Sequence, residues 1–99
     1  MHPQVPSITP TELTEALTSE RPPLVLDVRE ADELATTPFP GALHIPLGQL
    51  QLRHTELPTG QPIAVLCRSG TRSAYATSFL ISEGFEAVNI ADGILACQS

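Results

Sequence analysis

The chain has 99 residues, of which 41% are hydrophobic, and a formal net charge of −6. This length fits one domain with a modest core, and the apolar content favours a folded globule over disorder. All five basic residues are arginines, against eleven acidic ones, so no basic stripe is present to bind nucleic acid or an anionic membrane. Since no apolar run reaches the ~18 residues that span a bilayer and no leader pattern is present, the sequence predicts a soluble, cytoplasmic protein.

The cysteines and histidines form no pattern typical of a metal site or of a disulfide framework. Cys67 and Cys97 lie far apart in the chain, and His2, His44 and His54 show no ligand spacing. No bound metal is therefore expected. The histidine at position 44 is either a general base or, as is more common, a half-buried strand residue that is satisfied locally.

The N-terminal part of the chain begins with a tail over residues 1–7, with a short strand near Val5–Ile8. Thr9–Glu12 predicts a helix start, because Thr9 can cap, Pro10 suits the first turn and Glu12 completes a capping box. We expect Arg21–Pro23 to end this helix. Its predicted apolar face consists of Leu13, Ala16 and Leu17. A single domain is expected over residues 8–99.

The next apolar run, Leu24–Val28, is typical of a strand that is covered on both faces, but Asp27 interrupts it. A carboxylate in such a run must be paired, or must lie at the strand end facing a site. Asp27 and Arg29 are therefore interpreted first as structural ion-pair formers and alternatively as support for a site. A short acidic helix is predicted over Glu30–Ala35.

The middle of the chain contains a proline-rich loop over Thr36–Pro40 and a short predicted strand over Ala42–Ile45. The polar connection His54–Gln61 is expected to be exposed. The residues expected to cover the core between them are Leu47, Leu50 and Leu52.

A cysteine loop joins the apolar strand Ile63–Leu66 to a helix predicted over Thr71–Glu83. Backbone N–H groups at a helix start bind anions, and Arg68 and Arg72 add positive charge to the same loop. These surroundings favour the thiolate form of a cysteine, so Cys67 is interpreted as a nucleophile in an anion-binding loop. The alternative is that Cys67 is only a small buried hydrophobe.

The remaining segments complete an α/β pattern. Gly84 is expected to cap the long helix, Ala87–Ile90 to form a last strand, and Ile94–Cys97 to close the chain. Strands that alternate with helices predict a mainly parallel sheet, whose ligand site lies beyond the carboxyl ends of the strands. Asp27 and Cys67 both fall at that edge. The predicted core face of the long helix consists of Tyr75, Ala76, Phe79 and Leu80.

Taken together, these motifs resemble the single-domain rhodaneses, a family of sulfurtransferases with a small α/β fold. Cys67–Ser73 follows the active-loop pattern of the family, and the resemblance extends over residues 7–97. It implies a mainly parallel central sheet with helices on both faces. The flanking segments that agree in order are Leu26–Glu30, Pro40–Ala42 with Ile45–Pro46, Gly84–Phe85 and Asp92–Ile94.

The resemblance also implies a chemistry. Cys67 would accept a sulfane sulfur as a persulfide from a small anionic donor such as thiosulfate, and would pass it to cyanide, a thiol or an acceptor protein. No metal or organic cofactor is required. Asp27 and Arg29 would support the loop from the neighbouring strand. The substrate- and persulfide-binding loop would consist of Arg68, Ser69, Gly70, Thr71, Arg72 and Ser73.

The chain departs from the family pattern in two places. Thr37-Pro38 replaces the Gly-His of many relatives, and Cys97 stands where a tryptophan is usual. Cys97 is interpreted as an incidental apolar residue, with a resolving thiol as the alternative.

Two other functions stay open. A non-enzymatic sulfur-carrier or thiol-sensing module would use the same fold. A phosphatase or arsenate reductase is less favoured, because such loops commonly place arginine six positions after the cysteine, where this chain has Ser73.

Overall fold

The computed structural model describes residues 3–97, so the predictions for residues 1 and 2 of the tail, including His2, and for residues 98 and 99 lie outside the described residues. Five parallel strands form one sheet in the order β1-β5-β4-β2-β3. The strands are β1 Ser7–Ile8, β2 Leu24–Asp27, β3 Leu43–His44, β4 Ile63–Leu66 and β5 Ala87–Ile90. The predicted parallel α/β architecture is confirmed.

Helices cover both faces of this sheet, because successive residues of each strand point to opposite sides. On one face Val65 of β4 packs with apolar residues of α3 and α4, and on the other Leu66 packs with α1 and α5. The helices are α1 Pro10–Leu17, α2 Ala31–Thr36, α3 Leu50–Arg53, α4 Thr71–Ser82 and α5 Gly93–Cys97, with 3₁₀ turns at Leu47–Gln49 and His54–Glu56. No helix within residues 3–97 is long and apolar enough to cross a membrane.

Helix α1 begins as predicted and ends earlier. The Thr9 hydroxyl accepts from the Glu12 N–H at 3.1 Å, and the Glu12 carboxylate accepts from the Thr9 N–H at 2.9 Å, which is the expected capping box. The helix stops at Leu17, not at Arg21–Pro23, because the hydroxyls of Thr18 and Ser19 bond the last carbonyls. Leu17 is consequently exposed rather than part of the buried face.

The predicted core was also wrong at two further large side chains, Leu52 and Tyr75. Leu52 is 85% exposed, because α3 is a single turn and directs only Leu50 inward; Leu57 of the connection expected to be exposed is buried instead. Tyr75 is 50% exposed. Helix α4 presents mainly small residues to the sheet, so its backbone packs closely and its one tyrosine lies on the outer side.

The parallel register brings the ends of β2 and β4 together. Asp27 pairs with Leu66, and the Val28 N–H donates to the Leu66 carbonyl at 3.0 Å. Cys67, which follows Leu66, therefore lies beside the segment that follows Asp27. The two segments that the sequence assigned to one site do share one edge of the sheet.

Candidate active site

The cysteine loop lies between the carboxyl end of β4 and the first turn of α4. Cys67 is 1% exposed, and its side chain joins the apolar cluster between the sheet and α4. Gly70 precedes α4 with φ at 97°, a left-handed conformation that favours glycine. This conformation turns the chain back over the sulfur, so the loop is short and closed.

Within residues 3–97, two hydrogen-bonding groups lie against the Cys67 sulfur. The Gly70 N–H donates to Sγ at 3.0 Å, and the Ser73 Oγ lies 3.2 Å from Sγ. Both belong to the start of α4, where the helix dipole adds positive potential. The arrangement can stabilise negative charge on a sulfur atom.

Asn89 of β5 completes this cluster, and sequence analysis missed it. Its Oδ1 is hydrogen-bonded to the Ser73 hydroxyl, and its Nδ2 donates to the Gly70 carbonyl at 3.1 Å. Asn89 is 4% exposed. A lone amide inside the apolar run Ala87–Ile90 was the available signal, since buried polar groups require partners.

The first turn of α5 is hydrogen-bonded to the cysteine loop, and Gly93 allows the two backbones to approach closely. The Ile94 N–H donates to the Cys67 carbonyl at 2.8 Å, and the Leu95 N–H donates to the Arg68 carbonyl at 3.2 Å. Gly93 has φ at 61°, and a Cβ built there would lie 2.4 Å from the Cys67 carbonyl oxygen. Only glycine allows this close approach.

Arg72 is held by Glu33 of α2. Its Nη1 and Nη2 each donate to a Glu33 carboxylate oxygen at 2.7 Å, a bidentate ion pair. These hydrogen bonds from Arg72 lower the pKa of Glu33 to about 2. This geometry suits a role for Arg72 in steadying the loop better than a role in binding an anionic donor. Glu33 carried no signal in sequence beyond its place in an acidic helix.

Arg68 has a different environment. Its side chain is exposed and forms no ion pair within the described part of the chain. It lines a groove of about 320 Å³ beside the loop. The other lining residues are Arg29, Asp32, Glu33, Thr36, Thr37, Ile94 and Leu95. Ser69 and Thr71 are also exposed, on the outer side of the loop.

The rhodanese-like domain family model matches residues 9–99. The chain belongs to that family. It is 32% identical over 93 residues to "Sulfurtransferase" of Allochromatium vinosum, covering 93% of this chain and 87% of that protein. It is 34% identical over 91 residues to "Putative sulfur carrier protein YrkF" of Bacillus subtilis, covering 91% of this chain but only 49% of that relative.

A solved structure supports the same assignment. The crystal structure of a rhodanese-like domain protein from Staphylococcus aureus superposes with a TM-score of 0.88 at 29% identity, covering 96% of this chain and 93% of that chain. The rhodanese-like fold is thereby confirmed, with five parallel strands and the cysteine loop at their carboxyl edge.

Asp27 and Arg29 of this rhodanese-like domain form a buried ion pair. The Arg29 Nη2 donates to Asp27 Oδ2 at 2.8 Å, and both side chains are 1% exposed. The Arg29 Nη1 donates to the Thr37 hydroxyl at 2.9 Å, so the threonine at a departing position supports this pair. The His44 ring contacts the Arg29 carbonyl at 2.6 Å, as expected for a locally satisfied strand histidine.

Cys97, at the position where rhodaneses usually carry tryptophan, packs against the apolar cluster on the α1 and α5 side of the sheet. Burial raises the pKa of its thiol. Both cysteines are free. The local environment therefore matches a packing role for Cys97. No group of three His, Cys, Asp or Glu residues that could hold a metal lies within residues 3–97.

Proposed function

We propose that this chain is a sulfurtransferase that carries a sulfane sulfur on Cys67 as a persulfide. The observation that supports this most directly is the position of the Cys67 sulfur, which lies 3.0 Å from the Gly70 N–H and 3.2 Å from the Ser73 Oγ. Such donors stabilise an anionic sulfur. The names of its relatives, a sulfurtransferase and a sulfur carrier, point to the same chemistry.

The reaction has two half-steps. The Cys67 thiolate attacks the outer sulfur of a donor such as thiosulfate, a new S–S bond forms, and the donor's own S–S bond breaks as sulfite leaves with the electron pair. The negative charge then resides on the outer sulfur of the persulfide. A thiol or cyanide attacks that sulfur and restores the thiolate, so ping-pong kinetics are expected.

In this proposal Arg68 recognises the anionic donor. Arg72 is already neutralised by Glu33 at 2.7 Å, whereas Arg68 is exposed in the groove beside the loop. A free guanidinium can bind a sulfonate-like group. Arg68→Ala should therefore raise the KM for thiosulfate more than it lowers kcat.

Intact mass spectrometry tests the proposal. Purified protein is measured before thiosulfate, after thiosulfate, and again after cyanide. A gain of one sulfur that maps to Cys67 and disappears with cyanide supports the persulfide cycle. No gain, with Cys67 reduced and reactive toward a small alkylating agent, contradicts it.

A sulfur-carrier or thiol-sensing role is the second candidate, and the sulfur carrier among the relatives favours it. A carrier would load Cys67 but would release the sulfur to cyanide or small thiols only slowly. Multiple turnovers with cyanide therefore distinguish the enzyme from the carrier. Oxyanion hydrolysis is disfavoured, because Ser73 occupies the position at which such loops place arginine.

A further inference from the structure

The Ser73 hydroxyl has two neighbours that compete for its single proton. The Cys67 Sγ lies 3.2 Å from the Ser73 Oγ, and the Asn89 Oδ1 is hydrogen-bonded to the same oxygen. A serine hydroxyl donates one hydrogen bond and accepts others. At any moment it can donate either to the sulfur or to the amide, but not to both.

The orientation of the Asn89 amide is fixed by its other contact. The Asn89 Nδ2 donates to the Gly70 carbonyl at 3.1 Å, so the Oδ1 faces Ser73 and can only accept. Ser73 is 0% exposed and Asn89 is 4% exposed. Because the Ser73 hydroxyl is the donor to this buried Oδ1 among residues 3–97, Asn89 competes directly with the sulfur.

The state of Cys67 decides this competition. A Cys67 thiol can donate a hydrogen bond to the Ser73 oxygen. The Ser73 hydroxyl then keeps its own hydrogen bond to Asn89. A thiolate has no proton to give and attracts the hydroxyl, which must turn away from Asn89. After sulfur transfer the charge lies on the outer sulfur, and Sγ is a neutral atom bonded to Cβ and to that sulfur.

We propose that Asn89 is a positioning residue that directs the Ser73 hydroxyl. The hydroxyl donates to the Cys67 Sγ when Cys67 is a thiolate, and it donates to Asn89 again when Cys67 carries a second sulfur. This rests on the persulfide function proposed above. Rotation of the Ser73 hydroxyl redirects its hydrogen bond from one acceptor to the other. The proton stays on the Ser73 oxygen, and the rotation transfers no proton or electron. Asn89 thus opposes the thiolate and favours the sulfur-loaded site.

This proposal predicts opposite effects for two neighbouring residues. Ser73→Ala removes the donor and should disfavour the thiolate, whereas Asn89→Ala frees the hydroxyl and should favour it. The direct hydrogen bond to a charged sulfur makes the Ser73 effect the larger, about tenfold in the ratio of thiolate to thiol. We expect about threefold in the opposite direction for Asn89→Ala.

The test is the rate of Cys67 alkylation by iodoacetamide as a function of pH, measured in a Cys97→Ser background. Relative to the parent, the midpoint should rise for Ser73→Ala and fall for Asn89→Ala, with the same limiting rate at high pH. Thr77→Val is the matched control, since Thr77 is buried on the same helix and bonds the Ser73 carbonyl at 2.7 Å, and it should leave the midpoint unchanged.

The charged groups around the loop are unchanged in these variants, so they do not account for opposite shifts. These groups are Arg68 in the loop, Arg72 of α4 with Glu33 of α2, Asp92 before α5 and the Asp27–Arg29 pair at the end of β2.

Midpoints that move in the same direction for Ser73→Ala and Asn89→Ala overturn the proposal. A midpoint that does not move in Asn89→Ala also overturns it. Should Asn89→Ala not fold, Asn89→Val fills the strand position, also lacks an acceptor, and carries the same expectation.

A second measurement separates this proposal from the function on which it rests. At a pH above both alkylation midpoints and a fixed ratio of thiosulfate to sulfite, the persulfide fraction seen by mass spectrometry should be about threefold lower, relative to unloaded protein, in Asn89→Ala than in the wild type. An equal or higher fraction contradicts the bias toward the loaded site. Failure of the wild type to load any sulfur overturns the proposed function, while the alkylation midpoints still decide the direction of the Ser73 hydroxyl.

Discussion

The segments that follow β2 and β4 lie side by side at the same edge of the sheet, yet they use charge differently. At the end of β2, Asp27 and the nearby Arg29 neutralise each other, and both side chains are 1% exposed. After β4, the Cys67 sulfur accepts hydrogen bonds from two neutral groups, the Gly70 N–H and the Ser73 hydroxyl. A fully paired charge supports the fold, whereas a sulfur atom that contacts neutral donors can change its charge without breaking an ion pair.

The largest expected effect is the loss of sulfur loading in Cys67→Ser, because serine cannot form the persulfide. Cys97→Ser is the matched control, since it changes the other free cysteine, which lies in the apolar cluster. We expect it to retain most activity in a thiosulfate-to-cyanide assay. Equal inactivity of the two variants would contradict a mechanism with one thiol.

The Asp27–Arg29 pair at the end of β2 should have its main effect on the free energy of unfolding. Asp27→Asn leaves the Arg29 guanidinium buried without its counter-charge, which should lower the free energy of unfolding by about 3–5 kcal/mol. Denaturant unfolding measures this. Glu86→Gln breaks the Arg21–Glu86 pair, whose side chains are 61% and 62% exposed, and should cost no more than ~1 kcal/mol. Similar losses in both variants would mean that the buried pair is not structural.

Arg72 connects the cysteine loop to α2, so its loss should act on turnover. We expect Arg72→Ala to lower kcat/KM about fivefold, because the loop loses its bond to Glu33, which corresponds to ~1 kcal/mol. Arg53→Ala removes another arginine ion pair, with Glu56, on the α3 segment and should leave kcat/KM unchanged. Equal effects of the two substitutions on steady-state rates would contradict the role of the Arg72 contact.

The smallest expected effect is the loss of stability at low pH that comes from protonation of Glu33. The pKa of Glu33 is about 2 in the folded chain against 4.5 as its ordinary value, so the ion pair with Arg72 stabilises fully above pH 4.5 and is lost as the pH falls toward 2. After allowance for solvent screening this should amount to about 1 kcal/mol. Unfolding free energies at pH 5 and pH 2.5 should therefore differ less in Glu33→Gln than in the wild type. Glu15→Gln should keep the wild-type difference.

The candidate site was predictable where its parts are close in sequence. Cys67 and Gly70 belong to one loop between an apolar strand and a helix, and that pattern indicated a held sulfur. Asp27 and Arg29 are two positions apart, so their pairing could also be inferred. Asn89 was missed, because it lies 16 positions beyond Ser73 and reaches it only when β5 packs beneath α4.

The fold was predictable to a similar degree. The alternation of apolar strands with helices indicated a parallel α/β domain, and the capping box at Thr9 fixed the start of α1. The exposed positions of Leu52 and Tyr75 were not predicted. Which side of a short helix faces the core depends on its docking angle, and the periodicity of a few residues does not determine that angle.

The sequence by itself determined the family, the parallel α/β fold and the position of the cysteine loop, because the motifs that indicate them are short runs of neighbouring residues. Only the tertiary structure decided how the two loop arginines differ. Glu33 and Arg72 are 39 positions apart, and they meet because the parallel register brings α2 beside the start of α4. Arg68, four residues earlier, forms no ion pair with any residue from 3 to 97. The Arg68 guanidinium is exposed beside the cysteine loop because of how the helices pack and not because of its residue type.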